Sequence, residues 1–342
     1  MKIIHCADIH LDSALSTNMS SMQASERRKE LLNTWVKMVE YGADNGVRVI
    51  IIAGDWFDTS NIFVNTADII AGTIRKYSNM DFVYLPGNHD ERACIGMLGK
   101  HKNLMVLDKE CNSVRYDDVV IAAYGKKLQL KNEDVNIVVA HEELSDVKLL
   151  AGKNIDYLAL GHIHKHMEGV IDQRGMWCYS GCLEARGFDE SGEQGFVLLE
   201  VTEGRIIHTF VPFGYRHVHD ITVDVVYESE ESGMDTILLC DKIADRLVSI
   251  PGKDMVKVRI KGAMTPGDVI NVSYINSYFK DKFYGFRIED GTDMILDIDM
   301  LSRERSLKGE FIRAVLASDE TDDMKRSIIR CGLSALIGEV TE

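Results

Sequence analysis

The sequence predicts an α/β protein followed by a smaller α+β domain. Apolar runs typical of buried strands alternate with helical patterns in the first part of the chain, which favours a largely parallel sheet flanked by helices. Near residue 215 a new pattern of strand, helix, strand, helix and strand begins. Because 342 residues exceed one average domain, we expect a first domain over 1–216, an α+β cap domain over 217–300 and a C-terminal helical segment over 301–342.

The first elements are predicted from hydrophobic periodicity. A short buried strand is expected over 2–7, and a helix with one apolar stripe over about 26–44. Ser25 is the predicted N-cap of that helix. The run 47–53, apolar except for Arg48, indicates a strand buried on both faces, and a second helix is expected over about 65–77.

A third strand, 82–85, leads through Pro-Gly into an amide, an imidazole and a carboxylate at Asn88, His89 and Asp90. These residue types also form ordinary turns, so their meaning depends on what the rest of the chain places beside them. The remaining strands of the first domain are expected at 104–107, 113–116, 119–123, 135–140, 157–160, 168–171, 176–179, 195–201 and 206–211.

Composition limits the classes of function. The formal net charge of −15 disfavours a general electrostatic grip on nucleic acid, which needs basic surface. No apolar run reaches membrane-spanning length and no charged-then-apolar signal segment opens the sequence. The seven cysteines form no Cys-x-x-Cys pair, so we expect a reduced, cytoplasmic protein without a membrane partner.

Polar side chains recur where the predicted strands end. The carboxyl ends of parallel strands lie along one edge of a sheet, so we expect these side chains to converge. Carboxylate, amide and imidazole ligands together suit Mn, Fe or Zn better than Ca or Mg. A pair of such ions needs a bridging carboxylate, for which Asp55 after Gly54 is the candidate. The converging residues are Asp8, His10, Asp55, Asn88, His89, His141, His162 and His164.

The spacing of these residues resembles the five motifs of the calcineurin-like metallophosphoesterases, in their order. The stretches that carry the resemblance are Asp8-x-His10, Gly54-Asp55-x-x-Asp58, Gly87-Asn88-His89-Asp90, His141 and Gly161-His162-x-His164. Within that superfamily the chain is similar to SbcD-type DNA repair nucleases of the YhaO-like branch. Further support comes from the stretches around 5–13, 179–184 and 187–190, and from 307–311.

The resemblance implies a two-sheet α/β sandwich with a cap domain and two divalent ions, Mn²⁺ first, with Fe or Zn as alternatives. It also implies a metal-bridged hydroxide that attacks phosphorus in DNA, with His89 assisting and with Asp58 and Asp90 orienting ligands. The implied partners are DNA, an SbcC-type coiled-coil ATPase in an SbcCD-like repair complex and a second copy of the chain. The implied ligand sets are Asp8, His10, Asp55 and His164 for one ion and Asp55, Asn88, His141 and His162 for the other.

Two alternatives remain open from the sequence. The same ligands could serve a phosphatase or phosphodiesterase for small phosphoesters, or a non-catalytic metal-binding subunit of an ATPase complex. The two C-terminal apolar stripes could bind a partner or pack on the cap. His166 is expected to be an exposed polar residue without a ligand role, and Cys178 to pack as a small apolar group.

Overall fold

The structure is a computed structural model that describes residues 1–15, 19–58, 62–90, 92–108, 111–125, 129–144, 146–225, 235–264, 270–294 and 298–337. Its strands are β1 (Lys2–Cys6), β2 (Val47–Ala53), β3 (Asp81–Leu85), β4 (Leu104–Val106), β5 (Ser113–Tyr116), β6 (Val119–Ala123), β7 (Val135–His141), β8 (Tyr157–Gly161), β9 (Met167–Val170), β10 (Met176–Tyr179), β11 (Gly195–Thr202), β12 (Arg205–Pro212), β13 (Val218–Val225), β14 (Met255–Met264) and β15 (Gly285–Met294). Its helices are α1 (Ser21–Asp44), α2 (Val64–Lys76), α3 (Arg92–Leu98), α4 (Thr236–Leu247), α5 (Val272–Phe279), α6 (Ile298–Arg303), α7 (Leu307–Leu316) and α8 (Asp322–Ile337).

Two six-stranded mixed sheets form the first part of the fold. One has the order β12-β11-β1-β2-β3-β4 and the other β5-β6-β7-β8-β10-β9. Strands β1 to β4 pair in parallel, as do β6, β7, β8 and β10, whereas β11, β12, β5 and β9 are antiparallel additions. This architecture confirms the predicted two-sheet α/β sandwich.

Strand β2 is buried on both faces because it lies between the second sheet and the helices. Ile50 and Ile52 belong to the core that the first sheet forms with α1, α2 and α3. Val49 and Ile51 belong to the core between the two sheets. The alternation follows from the two-residue repeat of a strand, and it explains why the strand is apolar from Val49 to Ala53.

Helix α1 begins earlier than predicted. The Ser20 side chain accepts a hydrogen bond from the Gln23 backbone N–H, and the Gln23 side chain accepts one from the Ser20 N–H. This complete capping box satisfies two N–H groups that would otherwise lack partners. The prediction of Ser25 as the N-cap is therefore wrong, since Ser25 lies inside the helix.

A buried cluster of ionic side chains stabilises the same helix. Arg27 is fully buried and bonds Glu30 and Glu184, and Arg216 makes a second ion pair with Glu30 at 2.6 Å. Burial would raise the pKa of the Glu30 carboxyl, but the bonds from Arg216 and Arg27 outweigh burial and lower it. Glu30 is thus held as a carboxylate in the folded protein.

The chain divides into two compact units. The first contains Met1–Asp220, Pro251–Lys257 and Lys280–Arg287, and the second Ile221–Ile250, Val258–Phe279 and Ile288–Glu342. Strands β13, β14 and β15 form a three-stranded sheet. The boundaries 1–216, 217–300 and 301–342 remain predictions.

In the second unit, helices α6, α7 and α8 share an apolar cluster. Helix α7 is capped by Ser306, whose side chain accepts a hydrogen bond from the Gly309 N–H. Within the described part of the chain, no helix has both the length and the apolar character that a membrane span requires. The buried members of the cluster are Leu301, Ile312, Val315, Ile329 and Leu333.

Candidate metal centre

The ends of β1 and β8 bring together one group of ligand atoms. Asp8 and His10 follow β1, and His164 follows β8. The Nε2 atoms of His10 and His164 are 3.2 Å apart, and Asp8 Oδ1 is 3.9 Å from His164 Nε2. All three ligand atoms lie within 4.8 Å of one another, which is close enough for one ion to contact them together.

A second group forms at the ends of β2, β3 and β7. Asp55 Oδ2 is 3.1 Å from Nε2 of His141, and Asn88 Oδ1 is 2.9 Å from the same nitrogen. Asp8 is within 4.8 Å of both Asp55 and His141 by its ligand atom. Asp55 Oδ2 is also 3.8 Å from His10 Nε2, so this carboxylate lies between the two groups, where the sequence predicted a bridge.

The hydrogen bonds of the imidazoles test whether these residues fit a cation. The Nδ1 atoms of His10, His164 and His141 face Asp58 Oδ1 at 2.9 Å, Glu190 Oε1 at 2.7 Å and the Ala53 carbonyl at 2.8 Å. Carboxylate and carbonyl oxygens accept only, which favours a hydrogen on Nδ1 of His10 and His141 and leaves their Nε2 atoms directed toward the centre.

The Nε2 atoms approach one another and the neighbouring oxygen atoms. His10 Nε2 faces His164 Nε2, and His141 Nε2 faces Asp55 Oδ2 and Asn88 Oδ1. A proton or a metal cation between such atoms makes these short distances favourable. The donor set of carboxylate, amide oxygen and imidazole therefore fits divalent transition-metal ions.

The two carboxylates behind the imidazoles are strongly ionised. Burial would raise the pKa of Asp58, but hydrogen bonds from His10 and Ser13 outweigh burial and lower it to about 2. Burial likewise opposes ionisation of Glu190, yet the bond with His164 and the charge of Arg186 lower its pKa to about 2. Carboxylates that orient a ligating imidazole through its other nitrogen are typical of metal sites.

The inner groups also favour nearby positive charge. Burial raises the pKa of Asp8. Burial would raise the pKa of Asp55 too, but bonds from His141 and from the His89 N–H lower it. The pKa of His141 rises because its bonds to Asp55 and Ala53 outweigh the lowering effect of burial. The carboxylates of Asp8 and Asp55 are both stabilised by positive charge beside them, which a divalent ion would supply.

His89 lies at the rim of this centre. Its Nδ1 is 3.2 Å from Asp58 Oδ1, and 48% of its side chain is exposed. Its backbone N–H donates to Asp55 Oδ1 at 2.9 Å, and its ring centroid is 5.2 Å from that of His10. A ligand atom of His89 also falls within 4.8 Å of His10 and Asp58, so its role as a non-ligand stays a prediction.

Asp90 fixes the turn that carries Asp55. Its carboxylate accepts hydrogen bonds from the backbone N–H groups of Trp56, Phe57 and Gly87 at 3.2, 2.9 and 2.9 Å. A carboxylate that accepts several backbone bonds holds a loop rigidly. The predicted contact of Asp90 with an imidazole stays a prediction.

His162 approaches the centre chiefly through its backbone. Its N–H donates to both Asp8 carboxylate oxygens at 3.0 Å, and its ring centroid is 5.4 Å from that of His141. The side chain is exposed. Among the described residues, no two further His, Cys, Asp or Glu ligand atoms lie together with one from His162 within 4.8 Å of one another. The role of His162 as a ligand therefore also stays a prediction.

The backbone at the strand ends adopts an uncommon conformation. Asp8, His10 and Asp55 have φ values of 49°, 48° and 48°, and His162 has 96°. Non-glycine residues enter this left-handed region at a cost, and such residues cluster at functional sites. The sharp turns direct the side chains of successive strand ends toward one point.

Two glycines leave room for these turns. A Cβ on Gly54, whose φ is +90°, would overlap the His141 ring, and a Cβ on Gly87 would overlap the Asp55 carboxylate. Glycine alone lets the backbone come this close to a side chain. The glycines before Asp55 and Asn88 are therefore part of the site's geometry.

Sequence reasoning missed the residues that support the imidazoles from the loop after β10. Arg186 lies 3.1 Å from Glu190 through Nη2 and 3.5 Å from Asp58 through Nη1, and its backbone N–H donates to Glu190. Ser13 donates to Asp58 Oδ2 at 2.6 Å. The stretch 187–190 contributed to the family resemblance. Its distance along the chain from His164 gives no indication that Glu190 contacts that histidine.

Comparison with known proteins agrees with this geometry. Residues 1–166 match the family described as Calcineurin-like phosphoesterase. The DNA double-strand break repair protein Mre11 of Saccharolobus solfataricus is 22% identical over 307 residues, covering 79% of this chain and 77% of the relative. The protein of that name from Sulfolobus acidocaldarius is 23% identical over 320 residues, covering 90% and 69%. The uncharacterized metallophosphoesterase YhaO of Bacillus subtilis is 23% identical over 261 residues, covering 65% and 61%.

A two-sheet sandwich with carboxylates, imidazoles and an amide at adjoining strand ends defines a metal-dependent phosphodiesterase. Residues 1–166 of the chain form a calcineurin-like phosphoesterase domain. Its distant relatives place it near the Mre11 and YhaO branch of that family.

Proposed function

We propose that this protein is a DNA nuclease that uses two divalent ions, and that it is the nuclease subunit of an SbcCD-like repair complex. The observation that carries the proposal is the pair of neighbouring ligand groups that share Asp8 and adjoin at Asp55. Two ions about 4 Å apart can act on both the attacking and the leaving oxygen of a phosphodiester. The DNA substrate is suggested by relatives named for DNA double-strand break repair.

In this proposal the chain's own residues have distinct tasks. Asp8, His10 and His164 hold one ion and His141 and Asn88 the other, with Asp55 between them and His162 completing the second set. When bound, the ions activate water and offset charge on the phosphate. The carboxylates of Asp58 and Glu190 keep the imidazole rings oriented.

His89 is proposed to donate a proton to the departing sugar oxygen. Asp58 engages its Nδ1, which leaves Nε2 for the substrate. Its exposure at the rim makes it accessible to a phosphodiester that approaches the centre. General acids of this kind typically accelerate a reaction by about 10²–10⁴-fold.

Mn²⁺ is the proposed metal, with Fe or Zn as alternatives. The inward donors mix carboxylate and amide oxygens with imidazole nitrogens. Ca²⁺ and Mg²⁺ favour shells of oxygen alone, whereas imidazole nitrogens suit transition-metal ions such as Fe and Zn. The preference for Mn²⁺ among these ions comes from the resemblance to the metallophosphoesterase nucleases.

A coiled-coil ATPase of the SbcC type is the proposed partner. Support comes from the C-terminal helices, where Leu307, Leu316 and Met324 are 71%, 41% and 50% exposed although the helices have their own buried cluster. Exposed apolar side chains on a helix pair suit a helical partner. The net charge of −15 is a further reason to expect that DNA binding needs such a partner, and a homodimer stays a prediction.

The test is a cleavage panel with Mn²⁺. Linear duplex DNA, single-stranded DNA and a small phosphodiester are incubated with the metal-loaded protein, alone and with a co-purified ATPase. Cleavage of DNA supports the proposal. Cleavage of the small ester alone would identify a small-molecule phosphodiesterase, and a metal-loaded protein inert on every substrate would favour a non-catalytic subunit.

A further inference from the structure

One short turn holds Glu190 in place behind the metal centre. The Glu190 N–H donates to the Gly187 carbonyl at 3.2 Å, so residues 187–190 form a tight turn with Phe188 near its tip. The Glu190 carboxylate extends from this turn to His164, whose Nδ1 lies 2.7 Å away. The position of the turn therefore sets the position of the carboxylate that orients this imidazole.

Phe188 anchors the turn in an apolar cluster. Its side chain is 7% exposed. A Cβ on Gly285 would lie 3.1 Å from Phe188 Cζ, so the ring packs closely against the backbone at this glycine. Burial of a phenyl ring is strongly favourable, which fixes the turn where the cluster lies. The other buried members of the cluster are Ala185, Val218 and Met255, with Met19 and Tyr284 partly buried beside them.

The partners of Phe188 stand at the starts of three strands. Val218, Met255 and Gly285 are the first residues of β13, β14 and β15. A polar contact reinforces the attachment, because the Asp189 carboxylate lies 4.0 Å from Nζ of Lys257 in β14. These strand starts belong to the same compact unit as the metal centre. The turn that supports the centre is thus fastened to the beginning of the three-stranded sheet.

We propose that Phe188 is a positioning residue for the metal centre. It fixes the turn that holds Glu190 against His164, so the first residues of β13, β14 and β15 influence how tightly the centre binds its ion. Residues that support a ligating imidazole in this way typically change metal affinity by about 10–100-fold. The inference rests on the proposed role of His164 as a ligand.

A purely structural role of Phe188 makes a different prediction. A side chain that only stabilises the fold lowers the free energy of unfolding when it is truncated, but the molecules that remain folded bind metal as before. A positioning residue changes the metal affinity of the folded protein. It also loses its effect once the group through which it acts has been removed.

The test is a calorimetric titration of the folded full chain with Mn²⁺. Phe188→Ala should weaken binding by about tenfold, the lower end of the usual effect of lost support for a ligand. Phe188→Leu should weaken it by a smaller factor, because leucine remains apolar but lacks the ring that reaches Gly285. In a Glu190→Ala background, Phe188→Ala should cause no further weakening.

Hydrogen exchange gives a second measurement that needs no metal. In chelator, the backbone amides of residues 186–190 should exchange faster in Phe188→Ala than in wild type, because the turn has lost its anchor. Circular dichroism under the same conditions checks that each variant is folded. If Phe188→Ala does not fold, the two measurements on Phe188→Leu decide the question.

Phe279→Ala is the matched control. Phe279 lies in α5 and is 1% exposed, so the same atoms are removed from another buried position, and Mn²⁺ affinity should stay at the wild-type level. Equal affinity in wild type and the Phe188 variants, an equal loss in the control, or a full further loss in the Glu190→Ala background would overturn the inference. Unchanged affinity in His164→Ala would instead refute the ligand assignment in the proposed function.

Discussion

The separate tasks of two neighbours, Asn88 and His89, give the sharpest prediction. His89→Ala should lower the rate of DNA cleavage by about 10²–10⁴-fold, because a lost general acid has an effect of that size. At about 1.36 kcal/mol per tenfold, this is about 2.7–5.4 kcal/mol of transition-state stabilisation. Bound Mn²⁺ should remain at the wild-type level.

The free energy of unfolding should change little in the same variant. His89 is 48% exposed, and its side chain contacts Asp58. Exposed pairs of this kind contribute about 0–1 kcal/mol. Asn88→Ala should behave oppositely, with weaker metal binding, because it removes the amide oxygen 2.9 Å from His141 Nε2.

The assay combines metal analysis with two phosphodiesters. A nitrophenyl ester has a leaving group that needs little protonation, so His89→Ala should slow its cleavage much less than that of DNA. Loss of Mn²⁺ in step with activity would show that His89 is a ligand, consistent with its proximity to His10 and Asp58. Equal slowing on both esters with full metal content would refute its role as a proton donor.

Three further predictions follow from the same contacts. Gly54→Ala should abolish metal binding, since its Cβ would overlap the His141 ring and φ is +90°; a metal titration with wild-type affinity would contradict this. Arg186→Lys should weaken Mn²⁺ binding by about 10–100-fold, because a lysine cannot make both hydrogen bonds from Arg186 to Glu190. This is the usual effect of losing a residue that supports a metal ligand. Calorimetric titration with Mn²⁺ measures the affinity. The Glu30 carboxylate should stabilise the folded protein above its unfolded pKa, near 4.5, and this contribution should be lost as pH falls through the lowered folded pKa. Glu30→Gln should therefore reduce the dependence of the free energy of unfolding on pH in this acid range, as measured by urea unfolding. The same pH dependence in wild type and variant would contradict the prediction.

The strand-end residues could be predicted because their chemistry follows chain order. Val47–Ala53 is apolar except for Arg48, so the position of Asp55 just after this strand could be predicted from the sequence. The close contact of Asp55 with His141, at 3.1 Å, required the two sheets to pack face to face. The family resemblance implied that the two sheets pack face to face. The pattern of apolar and polar residues within each strand did not predict this packing.

Other features depend on contacts that have no local signal. Glu190 supports His164 from a loop 26 residues further along the chain, and nothing in the spacing marks it. Helix α3 was not predicted, since its seven residues are too few to show a clear helical period. Ser20 was missed as a cap because Ser25 stood closer to the apolar stripe of α1.

The left-handed residues at the strand ends have a consequence for protein engineering. Each of Asp8, His10 and Asp55 holds a conformation that costs an L-residue about 1 kcal/mol or more. Glycine at these positions would release that cost and remove a ligand in the same step. Selection for thermostability alone should therefore enrich inactive variants here, so a library intended to keep activity has to hold these three codons constant.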